Sequence, residues 1–367
     1  MSDLPPPLGP LDPADLCQPA GGQQRISVVM ANYNGAAYLR QAIRSVLAQT
    51  HSALELIISD DGSADASRDI IREMMADDPR IKLVEAPAAA SRVDLAPTAS
   101  GPAAARNRAL AAATGDWVAI VDSDDLIHPE RLARLLHAAR ALEADIVADD
   151  LIYFGEDQGT LLQALALQGP HRIAAVEMIT GDICGKSDVS LGYLKPLIRG
   201  EALAQLRYDE SLRIDEDHNL YLRLLLAGAS FTVIPEPMYL YRRHRMSTSH
   251  RQSAANLERM IAAQTAFLRG LAPQDHALRP ALGRRIRAHT RDLHYVRTLE
   301  AIKARDWLGA VRRLVQSPVN VLSLLRSIRE HAMRMRHQHP VVRGRMTLTL
   351  QDARAPAPDL PPGHRLL

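Results

Sequence analysis

The chain is short of several things, and each shortage excludes something. Two cysteines, Cys17 and Cys184, stand in 367 residues. They cannot make a disulfide scaffold, so a reducing cytoplasm is expected. Phe, Trp and Tyr together make up 4% of the sequence, too few for the stacking platforms that hold single-stranded nucleic acid, so no nucleic-acid partner is expected. No apolar run reaches the roughly 18 residues that a membrane-spanning helix needs. The first 24 residues have no apolar core of a secretory signal. Net charge is also nearly absent, at +2, while 47% of the residues are hydrophobic. That combination excludes global disorder, which needs low hydrophobicity and high net charge.

The small net charge hides an uneven distribution. Between Arg279 and Arg345, 16 basic residues face four acidic ones, so that segment carries +12 and the remainder −10. Net charge speaks about partners rather than fold. An acidic body is followed by a basic appendage.

Residues 1–24 hold six prolines and an adjacent glycine pair and are expected to form a disordered leader. From Arg25 the pattern changes to short β-branched apolar runs alternating with amphipathic helices. Arg25–Ala31, Leu54–Ser59, Ile81–Glu85, Trp117–Val121 and Ile146–Phe154 are expected strands, the last closing the series. Helices are expected around Tyr38–Leu47, over Ser63–Met75 with Ser63 as N-cap, over Pro102–Ala113, and from Pro129 onward. Such alternation predicts an α/β fold with an open, mostly parallel sheet flanked by helices. A C-terminal helical extension is expected over 251–348, and a disordered tail over 349–367. Residues 25–250 are expected to form the main domain, in two halves, 25–125 and 126–250.

Ligands of open α/β sheets bind at the carboxyl ends of the strands. Polar clusters stand there after three strands: Asn32-Tyr33-Asn34, Asp60-Asp61-Gly62-Ser63 and Asp122-Ser123-Asp124-Asp125. Asp122 and Asp124 fit a hard divalent cation, which takes one or two carboxylates plus substrate phosphates, although Asp and Ser also favour plain turns. Asp60 and Asp61 are open to two readings, a strand-to-helix turn or acceptors for a base imide or ribose hydroxyl. Arg106 either sits on a solvated helix face or forks onto a phosphate.

These residues carry a resemblance. SVVMANYNGAAYLRQAIRSVLAQT, IISDDGSADAS and AARNRALAAATGDWVAIVDSDD, in this order and spacing over residues 25–250, are similar to the family 2 glycosyltransferases of GT-A fold. The tract CGKSDVSLGYLKPLIR more loosely resembles bacterial exopolysaccharide transferases of the succinoglycan type. The resemblance implies that Asn32, Tyr33, Asp60, Asp61 and Arg106 surround the nucleotide of a sugar donor. It further implies that Asp122 contacts the nucleotide-sugar and that Asp124, with Asp122, coordinates Mn²⁺ or Mg²⁺ on the diphosphate. Three departures are Ala31-Asn32, where the family often has proline before Tyr-Asn, Ala99, where an asparagine commonly stands ahead of the ARN block, and the lengthened stretch Ala86–Thr98.

Inverting transfer needs a group to take the proton of the attacking hydroxyl. Asp215-Glu216-Asp217 opens a helical pattern, where the helix dipole alone accounts for acids. The family's Glu-Asp pair matches Glu216-Asp217, which implies Asp217 as general base and Glu216 as a holder of an acceptor hydroxyl. Tyr241-Arg242-Arg243-His244 resembles a family stretch near the diphosphate, so Arg242 and His244 are candidates for phosphate or metal contact.

The expected function is metal-dependent inverting transfer of a hexose from a nucleotide-diphosphate sugar, UDP-linked, to a glycan or polyprenyl-diphosphate-linked saccharide of a cell-surface polysaccharide. The alternatives are a sugar nucleotidyltransferase, which needs a basic loop that NYNGAAY lacks before Arg40, or a non-catalytic sugar-nucleotide-binding scaffold. Gly181-Asp182-Ile183-Cys184-Gly185-Lys186-Ser187 imitates a P-loop but has three residues between its glycines instead of four. Cys184 is expected to be a buried, inert thiol, and Asp149-Asp150 a solvated turn at a strand end. The basic helices fit an anionic membrane surface or a solvated helical cap; the expected location is cytoplasmic, with peripheral attachment an open option.

Overall fold

The computed structural model describes residues 24–86, 100–155, 162–184, 186, 189–244 and 253–316. The expected leader up to residue 23, the tail over 349–367, the 250/251 boundary and the stretch 87–99 lie outside these residues. The described residues fall into two compact units, 24–244 and 253–316.

The first unit is built on a ten-stranded sheet. Strands β1 (Ile26–Asn32), β2 (Leu54–Asp60), β3 (Ile81–Glu85) and β4 (Trp117–Ile120) pair in parallel in the order β3-β2-β1-β4. Val28, Val29, Met30, Leu56, Ile57 and Ile58 are wholly buried, because helices cover both faces of a parallel sheet. Helices α1 (Ala36–Leu47), α2 (Ser67–Asp77) and α3 (Pro102–Ala112) make the crossovers. Parallel register sends all four strand ends to one edge, and Asn32 stands beside Asp60 in the ladder.

Beyond β4 the sheet becomes mixed, which the apolar pattern did not foretell. Ile146–Phe154 does not close the series. β6 (Ile146–Gly155) pairs in parallel with β10 (Phe231–Arg243), and the three-residue β9 (Leu197–Arg199) runs antiparallel between β4 and β6. Pro235 and Pro237 disguise β10, since proline argues against a strand; the register shifts around Pro237 absorb them. β5 (Leu126–Ile127), β7 (Leu162–Gln163) and β8 (His171–Arg172) add short antiparallel pairs. Helix α4 (Arg131–Ala141) follows Pro129, and α5 (Ala175–Thr180) and α6 (Glu216–Leu226) precede β10.

Three local expectations are corrected. Helix α2 starts at Ser67, not Ser63. Ser63 instead donates its N–H and hydroxyl to Asp60, closing the turn after β2 at 2.9 and 2.6 Å. Asp149 and Asp150 are not a solvated turn: both are buried inside β6. Arg131 forks onto Asp149, and Asp150 accepts the backbone N–H groups of Leu151, Leu165 and Ala166. Cys184 is exposed, not buried, because it stands in the tight Ile183–Lys186 turn. Its Sγ lies 3.5 Å from His171 Nδ1.

The second unit is helical: α7 (Ala254–Arg269), α8 (Arg279–Lys303) and α9 (Trp307–Gln316). Ser253 caps α7 through the Asn256 N–H at 3.2 Å. Leu257, Met260, Leu282 and Leu293 are buried, the helical spacing expected of a packed face.

Candidate active site

Three carboxylates and two cations meet where the parallel and mixed parts of the sheet join. Asp122 leaves the end of β4. Antiparallel pairing of β9 with β4 sets Ala119 opposite Leu197, and so brings Lys195 beside the same strand end. The Lys195 ammonium bridges Asp122 Oδ2 at 2.8 Å and Asp217 Oδ2 at 2.7 Å. Arg106, on α3, donates to Asp122 Oδ1 and Glu216 Oε1, both at 2.7 Å, and lies 3.3 Å from Asp217 Oδ1. Asn107 holds that helix to the segment before α6, exchanging hydrogen bonds with the Tyr208 backbone at 2.9 and 3.0 Å.

Burial and charge set the ionisation of this cluster. Burial works to raise the Asp122 carboxyl, but Lys195 and Arg106 outweigh it and hold the group well below the usual range. Burial works to discharge Lys195 and Arg106, and the Asp122 and Asp217 charges reverse that for both. Glu216 is pushed up by burial and by the Asp217 charge, against the pull of Arg106. Glu216 and Asp217 occupy the first turn of α6, where the dipole favours anions, yet Asp215 at the N-cap makes no side-chain capping bond. The two acids face cations from other elements instead.

Asp124, two residues on, has a different environment. His244 Nε2 lies 2.9 Å from Asp124 Oδ2, and the Arg242 Nε–H donates to the Asp124 carbonyl at 2.7 Å. The Arg242 guanidinium lies between the rings of Tyr38 and Phe154, at 4.6 and 4.5 Å. Burial and the Asp122 charge raise the Asp124 carboxyl, which His244 only partly offsets. A carboxylate so placed gains from a cation. Carboxylate oxygen suits Mn²⁺ or Mg²⁺, the imidazole nitrogen favours Mn²⁺ over the oxygen-seeking Mg²⁺, and the buried charge supports the fit. Among the described residues, no three His, Cys, Asp or Glu side chains gather as a metal cage: Asp124 pairs with His244, while Asp122 is engaged by Arg106 and Lys195.

The first-block residues are divided. Tyr33 is half exposed at 50%. Asn32 is buried; its Nδ2 donates to Asp60 Oδ2 at 2.8 Å and Ser63 Oγ at 3.2 Å, while its Oδ1 accepts from no group among the described residues. Gly35 is required here, because a Cβ would lie 2.3 Å from that Oδ1. Asp61 accepts from Arg108 and from the Gly101 N–H, both at 2.6 Å. Gly101 has φ +101°, open to glycine at little cost.

Residues 27–186 match the sequence model of Glycosyl transferase family 2. The succinoglycan biosynthesis protein ExoO of Rhizobium meliloti (strain 1021) is 32% identical over 321 residues, covering 86% of this chain and 88% of ExoO. The chain belongs to glycosyltransferase family 2. ExoU of the same organism is 31% identical to this transferase over 77% of the chain and 80% of ExoU. Among solved structures, Staphylococcus aureus TarS 1–349 in complex with UDP-GlcNAc superposes with a TM-score of 0.53 at 18% identity, over 79% of this chain and 90% of TarS 1–349. The mannosyltransferase PcManGT from Pyrobaculum calidifontis, in complex with GDP-Man and Mn²⁺, gives 0.52 at 19%, over 87% and 85%. Both likenesses establish the GT-A fold for the transferase.

Three site residues of the transferase escaped the sequence reading. Lys195 stood in the quoted tract, and its only signal was a lysine inside an apolar stretch before a strand. Asp125 is buried, accepting from the Tyr239 hydroxyl at 2.7 Å and the Arg242 N–H at 2.6 Å. Burial, then the Asp124 and Asp122 charges, push its carboxyl well up. Arg108 adjoined the Arg106 that was singled out. The P-loop imitation is no strand-to-helix loop: Gly181 ends α5 in a left-handed conformation, and Ile183 bridges Lys186. Arg40, the first cation after β1, is forked onto Glu73 at 2.6 and 2.8 Å, away from a phosphate-binding role.

Proposed function

We propose that the transferase moves a hexose from a nucleotide-diphosphate sugar, with inversion, to a saccharide hydroxyl, and that its product belongs to a cell-surface polysaccharide. The observation that carries this reading is one buried network joining the donor-side Asp122 to the acceptor-side Asp217 through Arg106 and Lys195. The succinoglycan role named for ExoO and ExoU supports the polysaccharide assignment.

Asp217 takes the proton of the acceptor hydroxyl as that oxygen bonds to the anomeric carbon of the donor. The bond from that carbon to the diphosphate oxygen breaks, and the electron pair leaves with the nucleoside diphosphate. Glu216, at the same helix turn, orients the acceptor by a hydrogen bond. Arg106 and Lys195 act as positioning residues: they fix Asp217, and their charge lets three acids stand together in a buried site. Asp124 and His244, with Asp122 nearby, would hold the divalent cation. Bound there, Mn²⁺ or Mg²⁺ would offset the charge of the leaving diphosphate. Arg242 is placed to add to that positive field. Tyr33 offers its ring to the base, and Asn32, Asp60 and Asp61 shape the nucleotide pocket behind it. UDP is the preferred nucleotide and a glycan or lipid-linked saccharide the acceptor.

The test is release of free nucleotide from a panel of UDP-, GDP- and dTDP-sugars with Mn²⁺, Mg²⁺ or chelator. Acceptor-dependent release that needs metal supports the reading. Release of pyrophosphate from a nucleoside triphosphate and a sugar phosphate would establish the nucleotidyltransferase instead.

A further inference from the structure

The chain has two tryptophans, and the fold treats them oppositely. Trp117 is 1% exposed, in β4. Trp307 is 63% exposed and the adjoining Leu308 85%, the two most exposed large apolar side chains among the described residues. Both stand in the first turn of α9. That turn is well fixed, since Asp306 Oδ1 accepts the Gly309 N–H at 2.8 Å, and Ala310 packs inward at 3% exposure. Presenting an indole and an isobutyl group to water forgoes about 25 cal/mol for each Å² of apolar area left unburied.

The charges around the pair name what would cover it. Lys303, Arg305 and Arg312 are exposed within five residues of Trp307, and Arg284, Arg287 and Arg291 are exposed along α8. Exposed acids are interspersed at Asp292, Glu300 and Asp306, but the segment from Arg279 to Arg345 keeps its +12. A second copy of this chain would bring the same positive charge and be repelled. Single-stranded nucleic acid would need a row of aromatic rings. An anionic bilayer satisfies both halves of the surface: indoles settle at headgroup depth, leucines enter the acyl boundary, and each basic residue near the surface adds about 1 kcal/mol. No described helix is long and apolar enough to cross a membrane, so the contact is one of lying on the surface.

We propose that the first turn of α9 is an interfacial anchor for anionic lipid, with Trp307 and Leu308 inserted between headgroups and Lys303, Arg305 and Arg312 paired with lipid phosphates. The anchor holds the transferase at the surface where lipid-borne acceptors reside. It stands on the helical unit alone, so it survives or fails separately from the catalytic reading.

The test is flotation of the full-length chain with vesicles of phosphatidylcholine alone or of phosphatidylcholine with phosphatidylglycerol. The expected result is binding to the anionic vesicles, weakened by salt, with the Trp307→Ala/Leu308→Ser variant partitioning at least about tenfold less. The Arg305→Glu/Arg312→Glu variant should lose binding comparably while keeping the nucleotide-release rate on a soluble acceptor. On anionic vesicles the fluorescence should shift to the blue, and Trp307→Phe should abolish the shift. Equal flotation with both vesicle types, or undiminished flotation of the Trp307→Ala/Leu308→Ser variant, overturns the proposal. So does light scattering that finds wild type a dimer and this variant a monomer.

Discussion

Two acidic clusters stand on one edge of the sheet and read alike in the sequence, yet their surroundings differ. Asp60 and Asp61 are met mostly by short, local donors: the Ser63 N–H and hydroxyl, the Asn32 amide, the Gly101 N–H, and Arg108 from the neighbouring helix. Asp122 and Asp217 are met by long cationic side chains, Arg106 and Lys195, sent in from α3 and from the start of β9. Neutral local donors close a loop. Buried cations from two other elements hold Asp122 and Asp217 together and set their charge. The first cluster is thus the one proposed to shape the nucleotide pocket, and the second the one proposed to carry the chemistry.

Substitutions that break this contrast should differ accordingly. Asp217→Asn should lower transfer by about 10³-fold while leaving nucleotide-sugar affinity within a few-fold, measured by nucleotide release and by calorimetry. Normal turnover would remove Asp217 from the role of base. Lys195→Met leaves Asp122 and Asp217 short of a cation and should cost about 3–5 kcal/mol in denaturant unfolding; it should lower kcat more than it raises the donor KM. Lys195→Arg should recover much of both, which a mere loss of packing would not permit. Asp124→Asn should raise the Mn²⁺ concentration for half-maximal activity by about tenfold or more, and an unchanged metal titration would move the cation elsewhere. Asp60→Asn should cost about 1–3 kcal/mol of stability through its buried hydrogen bonds, with a small change in kcat.

A last prediction uses an acid at the opposite edge of the sheet as reference. Burial works to raise Glu55, but Lys82, Ser27 and Thr114 together lower it from 4.5 to about 2. A depressed carboxyl contributes stability above its unfolded value and loses it as pH falls through the folded one. The contribution is therefore full above about pH 4.5 and fades toward pH 2. Between neutral pH and about pH 3, Glu55→Gln should lose less of its urea midpoint than wild type does; equal losses would deny Glu55 this role.

The parallel half was legible because its signals are local. Val28–Met30 and Leu56–Ile58 are unbroken apolar runs, and polar residues follow each at the strand end. The mixed half was not legible. β9 is three residues long and β10 contains Pro235 and Pro237, so neither shows the periodicity of a strand. Asp149 and Asp150 looked solvated because nothing nearby in sequence announces Arg131 or the Leu165 and Ala166 N–H groups that bury them. Among the candidate residues, Asp122, Asp124, Arg106, Glu216, Asp217, Arg242 and His244 were singled out by motif. The structure joins Asp122, Arg106, Glu216 and Asp217 in one network and sets Arg242 and His244 on Asp124.

The sequence by itself determined the apolar strands, the crossover helices, the acids at the strand ends and the basic character of the tail, because composition and period act over a few residues. Only the tertiary structure decided which acids close a loop and which are joined by buried cations. It alone placed Lys195 between Asp122 and Asp217, and left Trp307 in water while burying Trp117. Those outcomes depend on partners many residues away, and burial multiplies the effect of each charge that the fold brings near.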